Sequence, residues 1–339
     1  MTVGIGINGM GRIGRAVVRS IVERPGSGIE VLAVNDVAPN ATLAHLLQND
    51  STHGRWSVDV AAGDRHMTVG GRSVRVFDEA TPAKVDWRGA GVDIVIEATG
   101  RFCTRERAAV HIRRGSARKV VIAAPATDAD ATIVMGCNES TYDPARHDIV
   151  SGACGTTHCA VPMVQVLNES FGLTRGLLTT VHSYTADQRL LDGPHQDLRL
   201  ARSAAANMVP TSTGAVLAVP LVLPELAGRI GGAAVRVPVE DVSLVDLTAQ
   251  LTSDVSVDEV NQAFATAADG RLKAILRYTD APVVSRDVLG ERSSCVLDSG
   301  LTLATGNLVK VFGWFDNEWG YAQRTMELAE LIAGSLPPR

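Results

Sequence analysis

A glycine-rich segment, Asn8-Gly9-Met10-Gly11-Arg12-Ile13-Gly14, follows the first predicted strand and opens a predicted helix. Glycines in this G-x-G-x-x-G spacing permit a tight turn, a close approach of the backbone to a pyrophosphate, and close packing of the helix on the strand. The N-terminus of the helix adds amide donors and a dipole that favour an anion. The segment therefore predicts a dinucleotide-binding turn.

An acidic residue indicates which dinucleotide this turn accepts. Asp36 ends the second predicted strand, 22 residues after Gly14. A carboxylate at this place accepts hydrogen bonds from the ribose hydroxyls of adenosine and repels a 2′-phosphate. The sequence therefore predicts NAD as the cofactor.

Five cysteines could supply nucleophilic or metal-binding sulfur, at positions 103, 137, 154, 159 and 295. Their number is odd, they are scattered over a long chain, and no pair has the C-x-x-C spacing of a zinc knuckle. The pattern predicts free thiols in a reducing compartment, with no disulfide framework and no metal site. We expect a cytoplasmic protein.

The elements that must position these residues differ between the two halves of the chain. In the first half, Ile13, Val17 and Ile21 recur at helical spacing between two short apolar runs. Strands are predicted at Val3–Ile7, Ile29–Val34, Val92–Ala98, Lys119–Ile122 and Asp148–Ser151, with a further helix near 105–114. Strands that alternate with helices in this way predict an α/β fold with a Rossmann-type doubly wound parallel sheet.

The second half has longer strands and predicts an α+β domain with a mostly antiparallel sheet. A helix is predicted over Thr156–Leu167 and a last one over Arg324–Ile332, while the Arg-rich stretch 187–202 is too irregular for a single element. Strands are predicted at Leu177–Tyr184, Ala233–Leu251 and Asn307–Phe315. We expect an NAD-binding domain over 1–151 with the C-terminal helix 317–339, and a catalytic, substrate-phosphate domain over 152–316.

Composition excludes some classes of partner. The 339 residues include 32 Lys and Arg against 37 Asp and Glu, which gives a formal net charge of -5. A chain without excess positive charge has no general attraction for nucleic acid or anionic membranes. The N-terminus has no signal-peptide pattern, and no apolar run is long enough to span a bilayer. We expect no nucleic-acid partner and no membrane association.

Seven ordered segments identify a resemblance that covers nearly the whole chain. They are Ile7-Asn8-Gly9 through Gly14-Arg15, Asn35-Asp36, Glu97-Ala98-Thr99-Gly100, Thr180-Val181-His182-Ser183-Tyr184-Thr185, Pro210-Thr211-Ser212-Thr213-Gly214, Arg236-Val237-Pro238 and Trp314-Phe315-Asp316-Asn317-Glu318-Trp319-Gly320-Tyr321. With these segments the chain resembles the phosphorylating glyceraldehyde-3-phosphate dehydrogenase family, a glycolytic family of NAD-dependent oxidoreductases.

The resemblance implies a mechanism and a set of site residues. In the family a cysteine thiolate attacks the aldehyde, a histidine acts as base, NAD takes the hydride, and phosphate releases an acyl phosphate. The implied substrates are a small phosphorylated aldehyde and inorganic phosphate, and the implied assembly is a homotetramer. The implied base is His182, and the implied cofactor-binding residues are Gly9, Gly11, Arg12, Ile13, Gly14, Asp36, Thr99, Gly100, Asn317 and Tyr321. The residues implied to bind the substrate phosphate are Thr185, Asp187 and Arg236. Those implied to bind a second anion are Thr156, Thr213 and Gly214.

The segment that should carry the nucleophile departs from the family pattern. The family reads S-N-A-S-C-T-T-N-C, whereas this chain reads Ser151-Gly152-Ala153-Cys154-Gly155-Thr156-Thr157-His158-Cys159. Gly155 therefore stands where the catalytic cysteine belongs, and Cys154 stands where a phosphate-binding serine belongs. A glycine at the helix start can adopt unusual backbone angles that turn Cys154 inward, as a nucleophile displaced by one residue.

Three functions remain open at this point. The first is an NAD-dependent dehydrogenase of a phosphorylated aldehyde, with Cys154 as the displaced nucleophile and His182 as base. The second is a redox enzyme without covalent catalysis, in which hydride passes directly to or from a carbonyl, an alcohol or an aldehyde hydrate. The third is a catalytically retired NAD-binding homologue.

Overall fold

The computed structural model describes residues 2–337 and divides into two compact units. Unit 1 comprises 2–133, 138–153 and 322–337, and unit 2 comprises 134–137 and 154–321. The domain boundaries expected from the sequence, at 151/152 and 316/317, lie close to these limits and remain a prediction about functional domains.

Unit 1 is built on a parallel sheet flanked by helices. Its strands are β1 (Val3–Asn8), β2 (Ile29–Asn35), β3 (Val60–Ala62), β4 (His66–Val69), β5 (Arg72–Phe77), β6 (Ile94–Glu97), β7 (Lys119–Ile122), β8 (Ala131–Thr132) and β9 (Ile149–Ser151). Within the described residues they are ordered β3-β4-β5-β2-β1-β6-β7-β9-β8, and only the pairs β3–β4 and β4–β5 are antiparallel.

The apolar pattern of unit 1 explains why these elements form. Strand β1 is buried from Gly4 onward, as expected for a central parallel strand that is covered on both faces. The helices are α1 (Arg12–Val22), α2 (Asn40–Gln48), α3 (Arg105–Ala108) and α4 (Val110–Arg113). Val17, Val18 and Ile21 form the buried face of α1. The Rossmann-type fold predicted for the first half is confirmed.

Unit 2 contains a mixed, mostly antiparallel sheet. Its strands are β10 (Leu173–Ser183), β11 (Val209–Thr211), β12 (Ile230–Val237), β13 (Ser243–Leu251), β14 (Leu276–Thr279), β15 (Cys295–Asp298), β16 (Leu303–Thr305) and β17 (Leu308–Phe315). The order is β11-β12-β10-β13-β17-β15-β14, with β16 paired to β17. Only β10–β12 and β14–β15 are parallel among the described strand pairs of this sheet, so the predicted α+β architecture is confirmed.

The helices of unit 2 are α5 (Gly155–Phe171), α6 (Ala215–Val222) and α7 (Val257–Asp269), whereas α8 (Trp319–Ser335) belongs to unit 1 from residue 322 onward. Helix α5 contacts β10, β13, β15 and β17 and is buried over most of its length. Within residues 2–337, no helix combines the length and the hydropathy that a membrane crossing requires.

The prediction of a single strand over Ala233–Leu251 is wrong. The chain forms two strands instead, β12 and β13, which lie on opposite sides of β10. Pro238 has no N–H for a strand ladder, and Val242 has a φ of 68°, a left-handed conformation that a β-branched residue rarely adopts. The apolar pattern continues across the turn between them and hides it. The split places the ends of β12 and β13 beside the end of β10.

Candidate functional site

The glycine-rich turn of unit 1 requires its glycines. Gly9 has a φ of 97°, which strains any residue with a side chain. A Cβ atom on Gly14 would lie 2.0 Å from the Gly9 carbonyl oxygen, so this position admits only glycine. Gly11, the N-cap of α1, faces open space, with no atom within 4 Å of an ideal Cβ. That open space lets a pyrophosphate approach the backbone.

Asp36 lies directly after β2, where the sequence predicts a ribose acceptor. Its Oδ2 atom accepts the Met10 amide at 2.8 Å, and its Oδ1 atom accepts the Ala38 amide at 3.0 Å. These two bonds tie the carboxylate to the glycine-rich turn and fix its direction. A carboxylate has about four lone-pair sites, so it keeps acceptor capacity for a ligand hydroxyl.

A cavity of about 220 Å³ lies at the carboxyl ends of β1, β2 and β6, and Gly9, Gly11, Asp36 and Thr99 line it. This is the place where parallel α/β sheets bind ligands. The other predicted cofactor residues of unit 1 do not line the cavity: they are Arg12, Ile13, Gly14 and Gly100. Arg12 instead forms an ion pair with Asp50 at 2.6 Å.

A buried network of hydrogen bonds around Glu97 lies next to this cavity, and the sequence analysis predicts no role for it. Glu97 Oε2 accepts Asn8 Nδ2 at 2.5 Å and His111 Nε2 at 2.9 Å, and Oε1 accepts the Thr99 amide at 2.8 Å. The Trp87 indole donates to His111 Nδ1 at 3.1 Å, so the His111 proton lies on Nε2 and points to Glu97. The network therefore holds Thr99 against the cavity. The Glu-Ala-Thr-Gly segment was the signal that could have revealed it.

Cys154 lies at the N-cap of α5 in unit 2. It has extended backbone angles, is half-buried, and places its Sγ atom 3.2 Å from Thr157 Oγ1. The predicted backbone swing at Gly155 does not occur, because Gly155 begins α5 with ordinary helical geometry. The left-handed residue is Ala153, with a φ of 51°. The turn that orients Cys154 therefore precedes it.

Gly155 lies close to Asn317, and its lack of a side chain allows this approach. An ideal Cβ on Gly155 would lie 3.3 Å from Asn317 Cα and 3.5 Å from Asn317 Cβ. This separation is tight but open to a small backbone adjustment. A side chain at position 155 would therefore point at Asn317, whereas Cys154 points to Thr157.

Asn317 is held in one orientation by two serines. The Ser183 amide donates to Ser243 Oγ at 3.1 Å, and Ser243 Oγ donates to Asn317 Oδ1 at 2.8 Å. Ser183 Oγ lies 3.0 Å from the same oxygen. Because Oδ1 accepts from the protein, the Asn317 amide nitrogen is left to donate to a ligand. Tyr321 is buried and its ring lies 5.8 Å from that of His158, at the start of α5.

His182 and Arg236 are direct partners in neighbouring parallel strands of unit 2. His182 Nδ1 lies 2.8 Å from Arg236 Nη1 and 2.8 Å from the Ser183 carbonyl oxygen. The first contact needs a lone pair on Nδ1 and the second needs an N–H there, so they select opposite tautomers. Burial and the adjacent Arg236 charge lower the pKa of His182 to about 4, so the imidazole is neutral near pH 7.

Electrostatics connect this pair to two further predicted residues. Burial lowers the pKa of Arg236, and the negative charges of Asp187 and of a Cys154 thiolate oppose that shift. Thr185 Oγ1 donates to Asp187 Oδ1. Cys154, His182, Thr185, Asp187 and Arg236 are therefore linked through Arg236, by a direct contact, by hydrogen bonds or by charge. The half-buried guanidinium of Arg236 is a binding group for phosphate.

The three residues predicted for a second anion site lie at the N-terminal ends of two helices. Thr156 lies in the first turn of α5 and is buried. Gly214 is the N-cap of α6, and Thr213 Oγ1 accepts the Ala215 amide at 3.3 Å. Helices α5 and α6 pack on each other within unit 2.

The fold and these sites define a class of protein. A glycine-rich strand-to-helix turn with an acidic residue after the second strand defines unit 1 as an NAD-binding unit of the Rossmann type. Comparison with known proteins is specific about the family. Residues 3–105 match the family described as "Glyceraldehyde 3-phosphate dehydrogenase, NAD binding domain", and residues 153–317 match "Glyceraldehyde 3-phosphate dehydrogenase, C-terminal domain".

Relatives match along their whole length. The chain is 51% identical over 334 residues to glyceraldehyde-3-phosphate dehydrogenase of Geobacillus stearothermophilus. This match covers 98% of the chain and 99% of the relative. The chain is 49% identical over 337 residues to glyceraldehyde-3-phosphate dehydrogenase 2 of Streptomyces avermitilis, covering 99% and 100%. The chain therefore belongs to the glyceraldehyde-3-phosphate dehydrogenase family. The resemblance seen in the sequence and the prediction of NAD are confirmed.

Proposed function

We propose that the chain is an NAD-dependent dehydrogenase of glyceraldehyde 3-phosphate or a closely similar phosphorylated aldehyde, with Cys154 as nucleophile. The observation that carries this proposal is the arrangement in unit 2: a half-buried thiol at a helix start, whose charge would act on a half-buried guanidinium that contacts a neutral histidine. A retired homologue has no need to keep a thiol in this neighbourhood.

The cofactor roles follow from the geometry of each unit. In unit 1 the cavity beside Asp36 takes the adenosine, and Gly11 takes the pyrophosphate. In unit 2 the Asn317 amide nitrogen donates to the nicotinamide carboxamide, since its oxygen is already occupied. Tyr321 packs near the nicotinamide. NAD supplies the hydride acceptor.

Cys154 acts as the nucleophile in a reaction of two stages, oxidation of the aldehyde and transfer of the acyl group to phosphate. Its sulfur adds to the aldehyde carbon, and the hydroxyl of the resulting hemithioacetal gives its proton to His182 as a hydride leaves the same carbon. The product is a thioester on Cys154. Inorganic phosphate then attacks the thioester carbonyl, which forms an acyl phosphate and returns the thiol. Thr156, Thr213 and Gly214 are the groups we assign to this second anion.

Arg236 links substrate binding to the state of the base. A substrate phosphate competes with His182 Nδ1 for the guanidinium, and it competes with Asp187 for the single hydroxyl proton of Thr185. When the guanidinium turns to the phosphate, Nδ1 is released to donate to the Ser183 carbonyl. The tautomer so selected carries its lone pair on Nε2, which is the atom we assign as base.

We also propose that the chain assembles as a homotetramer. The segment 187–202 carries Leu190, Leu191 and Leu198 with 74%, 76% and 81% of their surfaces exposed. Isolated exposed leucines are ordinary, but three within nine residues of an irregular segment form a patch that a subunit interface would bury. Light scattering with size-exclusion chromatography tests the assembly, which we expect at four times the 35.7 kDa chain mass.

The test of the function compares three chains. The rate of NADH formation is measured with glyceraldehyde 3-phosphate and inorganic phosphate for the unaltered protein, Cys154→Ala and Gly155→Cys, with calorimetric NAD binding as the control for folding. Removal of a covalent nucleophile should lower kcat by at least about 100-fold. If Cys154→Ala keeps the full rate, catalysis is non-covalent. If only Gly155→Cys is active, the natural chain is a retired enzyme.

A further inference from the structure

Three sulfur atoms converge beside Gly313 in the core of unit 2. A Cβ atom built on Gly313 would lie 2.6 Å from Met163 Sδ, 2.7 Å from Cys295 Sγ and 3.0 Å from Cys159 Sγ. Cys159 Sγ lies 3.9 Å from Met163 Sδ and 3.4 Å from the Gly313 carbonyl oxygen. All three side chains are buried. The three sulfur atoms therefore surround the side of Gly313 on which any other residue would carry its side chain.

Rigid elements hold this cluster together. Cys159 and Met163 are four residues apart on α5 and therefore lie on the same face of the helix. Cys295 begins β15, and Gly313 lies on β17, which pairs with β15. Helix α5 packs on both strands. A site built from a helix and two paired strands is already ordered before any ligand binds.

The ligand chemistry selects a soft ion. Thiolate and thioether sulfur prefer Cu(I), whereas structural zinc sites use four ligands drawn from thiolates, imidazoles and carboxylates. Within residues 2–337, no third histidine, cysteine or carboxylate joins the two thiols to form such a set. A monovalent ion bound to one thiolate, one thiol and a thioether has no net charge, which suits a site without water.

We propose that Cys159, Cys295 and Met163 form a binding site for one soft monovalent metal ion of the Cu(I) type. One thiol loses its proton to solvent as its sulfur binds the ion, and the oxidation state of the metal does not change. The thioether is the adaptable ligand, because methionine has three rotatable bonds and can move a few tenths of an ångström toward the metal. This site is independent of the dehydrogenase function proposed above.

Metal binding at such a site releases a proton and strengthens as the pH rises. Because both thiols are fully buried, association also needs a local opening of the packing and should be slow.

The test uses a full-length chain in which the other thiols are removed: Cys103→Ala, Cys137→Ala and Cys154→Ala together. Anaerobic titration with Cu(I), in competition with a chromophoric Cu(I) chelator, measures stoichiometry and affinity. We expect one Cu(I) per chain. Adding Cys295→Ala should weaken binding by about 100-fold, and adding Met163→Leu, which keeps the volume and removes the thioether, should weaken it by about tenfold.

Two readouts separate this site from alternatives. Cu(I) should raise the Tm of the starting variant but not that of the Cys295→Ala chain. Only a ligand that binds the folded state more tightly than the unfolded state raises the Tm. If Cys295→Ala does not fold, Met163→Leu decides the question. Failure of the starting variant to bind Cu(I), or an affinity unchanged by both substitutions, would overturn the proposal.

Discussion

Asp241 carries the sharpest prediction about stability, because it is a buried carboxyl facing other carboxylates. Burial, together with the charges of Asp316 and Glu318, raises its pKa to about 9, although the Val242 amide donates to its Oδ1 atom at 2.7 Å. Asp316 accepts the Gly290 amide at 2.8 Å and the Glu318 amide at 3.0 Å. Asp241 therefore holds a proton near neutral pH in the folded chain.

The magnitude follows from proton linkage. The ordinary pKa of an aspartate is 3.8, so between pH 3.8 and about 9 the folded chain keeps a proton that the unfolded chain releases. The stabilisation is complete below pH 3.8 and is lost as the pH rises toward 9, at about 1.4 kcal/mol per pH unit. Over pH 5 to 8 this amounts to about 4 kcal/mol.

Asp241→Asn should remove this dependence. The asparagine amide can donate to Asp316 without a titrating proton, and its oxygen can still accept the Val242 amide. We expect the variant to match the unaltered protein near pH 4 and to exceed its free energy of unfolding by about 5 kcal/mol at pH 8.

Urea unfolding followed by circular dichroism at pH 5, 6, 7 and 8 measures this difference. Glu240→Gln is the matched control, since Glu240 is half-exposed, beside Asp241, and pairs with Arg286 on the surface. Its effect should be small and nearly constant with pH. A free-energy difference between Asp241→Asn and the unaltered protein that stays constant from pH 5 to 8 would refute the reasoning.

Further predictions concern the sites. In NMR titrations the pKa of His182 should lie near 4 without ligand, because burial and Arg236 lower it, and should rise when phosphate occupies Arg236; no change with phosphate would contradict their coupling. Asp36→Ala should weaken NAD binding at least about tenfold by calorimetry and reduce discrimination against NADP, whereas equal NAD affinity would exclude a ribose contact. Ser243→Ala should raise the KM for NAD several-fold, since Asn317 loses a hydrogen bond; an unchanged KM would show that Ser183 alone suffices.

Much of the fold could be predicted from local pattern. The alternation of apolar strands and amphipathic helices revealed the parallel sheet of unit 1, and the glycine spacing located its ligand turn. The break between β12 and β13 could not be predicted, because an apolar alternation that crosses a turn does not change its period. A positive φ at Val242 is imposed by tertiary contacts and leaves no mark on the sequence.

In the candidate site, too, residues in local motifs could be predicted, whereas contacts between distant segments could not. Residues such as Asp36 and Arg236 could be predicted because they lie in motifs that the family shares. The contact of His182 Nδ1 with Arg236 depends on the parallel pairing of β10 and β12, which is a long-range feature. The buried Glu97 network and the sulfur cluster at Gly313 also join residues far apart in the chain, and no local spacing indicates them.

Trapping of the acyl-enzyme shows whether Cys154 is the nucleophile. The protein is incubated with glyceraldehyde 3-phosphate and NAD in the absence of inorganic phosphate, quenched in acid, and its cysteine peptides are weighed by mass spectrometry. If Cys154 is the nucleophile, we expect an acyl adduct on the peptide that contains Cys154, formed together with one equivalent of NADH. NADH formation without an adduct on that cysteine, or an adduct on another cysteine, would contradict it.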